Sequence, residues 1–304
     1  MKRRAFLSNS LAASAGLCMG LGSLTACTGS RERKVTILHT NDVHSHIEAF
    51  DLDHSRYPGI GGVARRASLI QSVREENPNT LLFDAGDIFQ GTPYFNYFGG
   101  ELEFKMMSRL GYDASTIGNH DFDNGIGGLE KQLPHAKFDF IISNYDFSNT
   151  IMDARTQPFK IFEVAGIKIG VFGLGIELEG LVDKALFKET KYLDPVEISQ
   201  DMVDILKNEK KCDLVIALSH LGYNYRNSPN RISDLTLAKK IQGVNLIIGG
   251  HTHTFLKKPT IVRNASDENM LVNQVGCWGV QVGRIDFEFD SKGQVSHKGT
   301  SIIV

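Results

Sequence analysis

The sequence predicts an α/β fold with mixed β-sheets, and three observations carry that expectation. Short runs of apolar and β-branched residues recur through residues 35–289, and most of them end in a loop dense in Asp, Asn, His and Gly. Between them lie longer stretches whose apolar and charged residues alternate at helical spacing. Two further runs are separated only by a short turn carrying Gly166, which requires antiparallel pairing alongside the parallel strands.

Taken in order, Val35–Leu38 reads as a buried strand that opens into His39-Thr40-Asn41-Asp42-Val43-His44. Val63–Glu76 follows as an amphipathic helix, and Thr80–Phe83 as a strand leading into Asp84-Ala85-Gly86-Asp87. Leu102–Leu110 is a second helix, after which Ala114–Ile117 delivers Gly118-Asn119-His120-Asp121. Phe159–Val164 and Lys168–Leu174 form a hairpin around Gly166. Pro195–Lys210 is helical, Asp213–Leu218 leads to Ser219-His220, and Val244–Ile248 leads to Gly249-Gly250-His251-Thr252-His253. Asn269–Val275 and Val280–Phe289 close the series as strands. No repeat, low-complexity tract or Pro/Ser-rich linker interrupts residues 35–304, so residues 34–304 are expected to form one domain.

The N-terminal segment has a different character. Residues 1–26 run from Lys2, Arg3 and Arg4 through an uncharged stretch to Leu24-Thr25-Ala26-Cys27, the layout of a signal peptide. Arg3-Arg4-Ala5-Phe6-Leu7 resembles a twin-arginine export signal and Leu24–Cys27 a bacterial lipobox. The expectation is export to the bacterial cell envelope, with lipid on Cys27 tethering the chain to the membrane and residues 27–33 as a short tether. A plain secretory signal or a short anchor helix fits the same layout, although the apolar stretch is shorter than the ~20 residues a spanning helix needs.

Composition is that of an ordinary globular protein, 41% hydrophobic and 22% charged, with a formal net charge of −2. A nucleic-acid-binding face resting on basic charge is therefore excluded as an expectation. Apart from Cys18 and Cys27, the cysteines are Cys212 and Cys277, too few for a disulfide framework. Both sit in or beside apolar runs and read as buried free thiols, with a single bridge the alternative.

Six of the ten histidines, His44, His46, His120, His220, His251 and His253, fall in the strand-end loops together with Asp42, Asp87 and Asn119. Open α/β sheets bind ligands beyond the carboxyl ends of their strands, so these loops should converge on one crevice. Imidazole, carboxylate and carboxamide donors without thiolate suit manganese, zinc, iron or magnesium. The donors outnumber what one tetrahedral ion can use, which argues for two adjacent ions sharing a carboxylate. Such two-metal sites are built for hydrolysis of phosphate esters.

Asp42-Val43-His44, Gly86-Asp87, Gly118-Asn119-His120-Asp121, His220 and Gly250-His251-Thr252-His253, in that order, resemble the calcineurin-like metallophosphoesterases. Gly118–Gly125 and Phe89-Gln90-Gly91-Thr92 are similar to the N-terminal catalytic domain of bacterial 5′-nucleotidases, and the likeness extends over roughly residues 34–304. The resemblance implies a four-layer sandwich of two mixed β-sheets flanked by helices. It also implies two divalent metal ions, manganese, zinc or similar, one held by Asp42, His44, Asp87 and His253 and the other by Asp87, Asn119, His220 and His251. Asp87 would then be the bridge, with one oxygen toward each cation, and a hydroxide on the ions the nucleophile. His120 and Asp123 are the implied catalytic residues, His120 facing the phosphate and Asp123 orienting it.

Less is expected of the remaining candidates. His46 is either a partner of the metal cluster or a loop histidine bonded to a backbone carbonyl, and Asp84 and Asp121 fix loop geometry. His39, His54, His135 and His297 match no motif and read as ordinary loop or surface residues. Phe89, Tyr94, Phe95, Tyr97 and Phe98 read as core packing, with a substrate groove the alternative. The implied activity is hydrolysis of small phosphate monoesters, nucleotides foremost. The alternatives are a 2′,3′-cyclic nucleotide phosphodiesterase, the catalytic subunit of a split 5′-nucleotidase, or a metal-binding envelope protein with little activity alone. Because the resembling enzymes recognise the base through a C-terminal domain, a separate substrate-binding protein of that type is an expected partner, and the lone chain should show broad specificity.

Overall fold

The computed structural model describes residues 33–228 and 230–304; the signal-peptide and lipobox segment lies outside the described residues. Alternation along the strands sets the architecture, because successive side chains in a strand point to opposite faces. On β1 (Arg33–Thr40) and β2 (Thr80–Asp84), Val35, Ile37, Leu81 and Phe83 point one way, while Leu38 and Leu82 point the other. The chain continues with β3 (Ala114–Ser115), β4 (Asp139–Phe140), β5 (Tyr145–Asp146), β6 (Phe159–Val164), β7 (Ile167–Leu174) and β8 (Lys191–Tyr192). It ends with β9 (Leu214–Ser219), β10 (Leu246–Gly249), β11 (Thr260–Arg263), β12 (Asn269–Asn273), β13 (Gln281–Phe289) and β14 (Val295–Ile303).

One six-stranded sheet has the order β14-β13-β1-β2-β3-β4 and the other β11-β12-β10-β9-β7-β6. Strands β1 to β4 are parallel, as are β7, β9, β10 and β12; β13, β14, β6 and β11 pair antiparallel at the margins. The inner faces meet in an apolar layer of Val35, Ile37, Phe83, Ile169, Ile216, Ile248 and Ile285. Phe83 is fully buried there, and truncating it to alanine should cost about 3–5 kcal/mol. The outer face of the first sheet is covered by helices α1 (Val63–Glu76), α3 (Glu101–Leu110) and α4 (Gly125–Gln132) through Ile70, Val73, Phe104 and Leu129; α2 (Pro93–Phe98) and α5 (Lys184–Phe187) add Phe95 and Phe187. Helices α6 (Pro195–Val203) and α7 (Asp234–Lys240) cover the second sheet through Val203, Leu237 and Ala238. The result is the four-layer sandwich of two mixed sheets flanked by helices.

The elements differ in detail from the sequence reading. The strand expected over Ala114–Ile117 keeps only two ladder residues before Gly118 turns the chain toward the crevice. The helix expected over Pro195–Lys210 is α-helical to Val203 and widens into a π-helical turn over 204–209. At the hairpin, Ala165 and Gly166 have φ of 53° and 69°, the left-handed pair that matches the twist of the flanking strands. Strand β14 was not anticipated: VSHKGTSII has no clean apolar alternation, and its pairing with β13 over nine residues makes it a strand. His39 is no surface residue. It is fully buried on β1, facing the Asn273 amide at 2.9 Å, and burial pushes its pKa down to about 3. Cys212 and Cys277 are buried free thiols, as expected.

Candidate metal centre

The polar loops leave the parallel strands at their carboxyl ends: Asn41–Ser45 after β1, Ala85–Ile88 after β2, Gly118–Asp123 after β3, His220 after β9 and Gly250–His253 after β10. Backbone bonds lace the first two together, with Asp42 N donating to Gly86 O at 2.9 Å, His44 N to Asp87 O at 3.1 Å and Ser45 N to Ile88 O at 2.9 Å. Asp42, His44, Asp87, His251 and His253 all adopt left-handed φ, between 49° and 70°. Each such residue costs about 1–2 kcal/mol relative to the right-handed region, so the strain is held by the surrounding bonds and collects at one place. Close approach fixes two glycines: a Cβ on Gly118 would lie 2.2 Å from Asp87 Oδ1, and one on Gly250 would lie 2.7 Å from His220 Nδ1.

The expected ligand residues come together as two clusters, Asp42 with His44 and His253, and Asp87 with His220 and His251. In the first, the Nε2 atoms of His44 and His253 face each other at 3.0 Å, and Asp42 Oδ1 lies 3.4 Å from His253 Nε2. In the second, His220 Nε2 is 3.0 Å from Asp87 Oδ2, and Asn119 Oδ1 lies 2.8 Å from His251 Nδ1. Asp87 sits between the clusters, its Oδ2 also 4.0 Å from His44 Nε2. Its Oδ1 accepts the His120 N–H at 2.8 Å.

The donor chemistry fits divalent cations. His220 Nε2 is buried and faces the Asp87 carboxylate, with Oδ2 at 3.0 Å. Its Nδ1–H donates to Ala85 O at 2.6 Å, which fixes the tautomer and leaves Nε2 as a lone-pair donor. Burial opposes a charge on His220, but the carboxylates of Asp87 and Asp42 outweigh it and hold the ring up to about 10. The same field suits a cation in place of that proton. Burial raises the Asp87 carboxyl, yet His220, His44 and His120 pull it well below the carboxylate range. Burial lowers His44 despite Asp87 and Asp42, and burial with His220 brings His251 down to about 4. His253, less buried, is raised because Asp42 outweighs its desolvation.

His120 belongs to neither cluster. Its Nδ1 bonds Asp123 Oδ2 at 2.9 Å and its ring centroid lies 5.3 Å from that of His44, which places the ring beside the centre. The bond to Asp123 raises its pKa against the effect of burial, with Asp87 adding to the rise.

Asp84 and Asp121 are loop-fixing groups, as expected. Asp121 accepts the backbone N–H groups of Asp87, Ile88, Phe89 and Gly118, and Asp84 accepts Gly86 N–H and the Thr40 hydroxyl. His46 joins neither cluster; it lies among Phe50 and Trp278 at ring distances of 5.0 and 5.7 Å. Phe89 and Phe95 are core, whereas Tyr97 and Phe98 face solvent. Sequence reasoning missed three supporting groups. Asn41 donates to Asp42 Oδ2 and Gly276 O at 2.6 Å each, Gln274 bonds Gly250 O and Thr254 N–H, and Glu103 accepts the Ser45 hydroxyl. Only Asn41 carried a signal, its place beside Asp42; Gln274 and Glu103 reach the loops through tertiary contact alone.

The pattern of the calcineurin-like phosphoesterases matches residues 35–255. The chain belongs to this family. It is 33% identical over 302 residues to the trifunctional nucleotide phosphoesterase protein YfkN of Bacillus subtilis, covering 89% of this chain and 19% of that protein. It is 33% identical over 325 residues to the 5′-nucleotidase of Homo sapiens, covering 96% of this chain and 53% of that protein. The crystal structure of a 5′-nucleotidase precursor from Thermus thermophilus superposes with a TM-score of 0.80 at 35% identity, covering 90% of this chain and 55% of that one. The chain thus spans about half the length, or less, of these three relatives.

Proposed function

We propose that this family member is a phosphomonoesterase of the 5′-nucleotidase type that works with two divalent ions, manganese, zinc or similar. Asp42, His44, Asp87 and His253 would hold one ion, and Asp87, Asn119, His220 and His251 the other. The observation that carries this reading is the pair of clusters around Asp87, with the buried His220 Nε2 turned toward the Asp87 carboxylate. Nucleotides are the foremost substrates because relatives named as nucleotide phosphoesterase and 5′-nucleotidase cover nearly the whole chain.

When bound, the ions supply positive field to the phosphoryl oxygens and bring the pKa of water toward neutrality. The chain's own residues do the rest. The strained loops hold the donors in place before substrate arrives, so no reorganisation is needed at the moment of reaction. His120, whose Nδ1 bond to Asp123 favours the protonated ring, would face the phosphate and stabilise charge or protonate the leaving oxygen. Asp123 is a positioning residue.

The test is a chelator-stripped protein reloaded with manganese or zinc and assayed on nucleoside monophosphates, cyclic nucleotides and an aryl phosphate. Metal-restored turnover of monoesters is expected; two ions bound by calorimetry without hydrolysis of any ester would sink the reading. We further propose an exported, lipid-tethered location, supported by Arg3-Arg4 and the Leu24–Cys27 lipobox. Among the described residues no helix is long and apolar enough to cross a membrane. Cys27→Ser should move the protein from the membrane fraction to soluble or unprocessed forms, and an unmodified Cys27 by intact mass of the wild type would refute the assignment.

A further inference from the structure

One aromatic group beside the centre is left unused by the proposed chemistry. Trp278, the single tryptophan of the chain, lies in the loop after β12, the same end of the sheet that carries the ligand loops. Its backbone N–H donates to Asp42 O at 2.7 Å, so its position is tied directly to a proposed metal ligand. Its φ is 61°, a conformation that suits Gly or Asn and that a bulky residue adopts only where its surroundings over-determine it. The indole centroid lies 6.4 Å from that of His253, another proposed ligand, and 5.7 Å from that of His46.

Phe50 and Tyr57 pack against the ring, their centroids at 5.8 and 5.7 Å and inclined at 64° and 77° to it. Neither is stacked parallel to it, and together they brace the indole. Trp278 is only partly buried, as are His253, His46 and Phe50, whereas the core aromatics Phe83, Phe89 and Phe104 are completely so. A braced, partly open ring one side-chain length from the phosphate-binding centre has the properties of a stacking surface. Stacking on it is sequence-tolerant, because every base has a π-face.

We infer that Trp278 is the surface on which the aromatic part of a phosphate ester's leaving group stacks, giving this domain its own preference for nucleoside and aryl esters over aliphatic ones. The inference rests on the phosphoesterase reading above and names the substrate class of that centre. It differs from the expectation that base recognition must come from another polypeptide.

Two measurements test it. The first is the ratio of kcat/KM for adenosine 5′-monophosphate to that for glycerol 2-phosphate in wild type, Trp278→Ala and Trp278→Phe, each with metal content measured. The ratio should fall roughly tenfold in Trp278→Ala, within the range typical of base-on-aromatic stacking, and should largely recover in Trp278→Phe. An unchanged ratio in both variants overturns the inference and leaves the phosphoesterase reading standing. The second uses wild type alone: adenosine, which has no phosphate, should quench or shift the fluorescence of the lone tryptophan saturably. Fluorescence indifferent to millimolar adenosine overturns the inference even if Trp278→Ala fails to fold. If wild type hydrolyses neither ester, the phosphoesterase reading fails, and the adenosine titration still decides whether Trp278 binds an aromatic ring.

Discussion

The two ligand clusters are built differently, although Asp87 lies between them. In the Asp42–His44–His253 cluster every residue has left-handed backbone, and the His253 side chain is 38% exposed. In the Asp87–His220–His251 cluster His220 stands at the end of a regular buried strand, completely enclosed, with its tautomer fixed by Ala85 O. The clusters thus differ chiefly in one histidine each: His253 comes from a left-handed turn and meets solvent, whereas His220 comes from a strand end and is closed off. Delivery from a packed strand end needs no strain at His220, whereas the ligands that come from short turns, Asp42, His44, Asp87, His251 and His253, are aimed together only by leaving the favoured φ region.

The largest effect should come from removing the group the clusters share. Asp87→Asn should empty both halves and bring hydrolysis near background; elemental analysis showing two ions with normal turnover would break the picture of a joint centre. Next comes the residue belonging to neither half. His120→Ala should keep both ions yet lose on the order of 10²–10⁴ in kcat, and a metal-free variant would make His120 a ligand instead.

The contrast between the enclosed His220 and the half-exposed His253 predicts an asymmetry. In chelator, His220→Ala leaves Asp87 and Asp42 buried without their cationic partner and should cost about 3–5 kcal/mol in urea unfolding. His253→Ala, at a half-exposed position, should cost less than about 1 kcal/mol, since pairs in contact with solvent contribute little. Both variants should weaken metal binding by more than the 10–100-fold typical of losing an outer partner. Equal destabilisation would show that the two histidines are not differently held.

The smallest change is expected from Asp123→Asn. Asp123 raises the His120 pKa, so its loss lowers that pKa. If the protonated ring is the working form, the descending alkaline limb of the kcat profile should move to lower pH with metal content unchanged. A limb that stays in place would assign it to another group.

How far the sequence was legible follows from the range of the interactions involved. Asp42-Val43-His44, Gly118-Asn119-His120-Asp121 and Gly250-His251-Thr252-His253 stand out because each is a short contiguous string at the end of an apolar run. The clusters they form join residues as far apart as His44 and His253, and the strand-end rule was enough to anticipate their convergence. Asp123 was implied by the family resemblance, and the contact it makes with His120 is local, three residues apart. His39 was misread because its surroundings, Asn273 and Gly283, come from β12 and β13, more than two hundred residues away. Strand β14 was missed for a similar reason: its partner supplies its order, while its own side chains carry little apolar pattern.

By itself the sequence determined the α/β alternation, the order of the metal-ligand candidates and their delivery from strand ends, because these depend on periodicity and on residue chemistry within a few positions. Tertiary structure alone decided that Asp87 lies between the clusters, with Oδ2 toward His220 and His44 and Oδ1 accepting the His120 amide across the crevice. It also decided that His220 is enclosed while His253 meets solvent, and that Trp278 stands beside His253. Those properties are set by packing and hydrogen bonds between chain segments remote in sequence, where left-handed turns, buried carboxylates and a buried imidazole are stabilised only by one another.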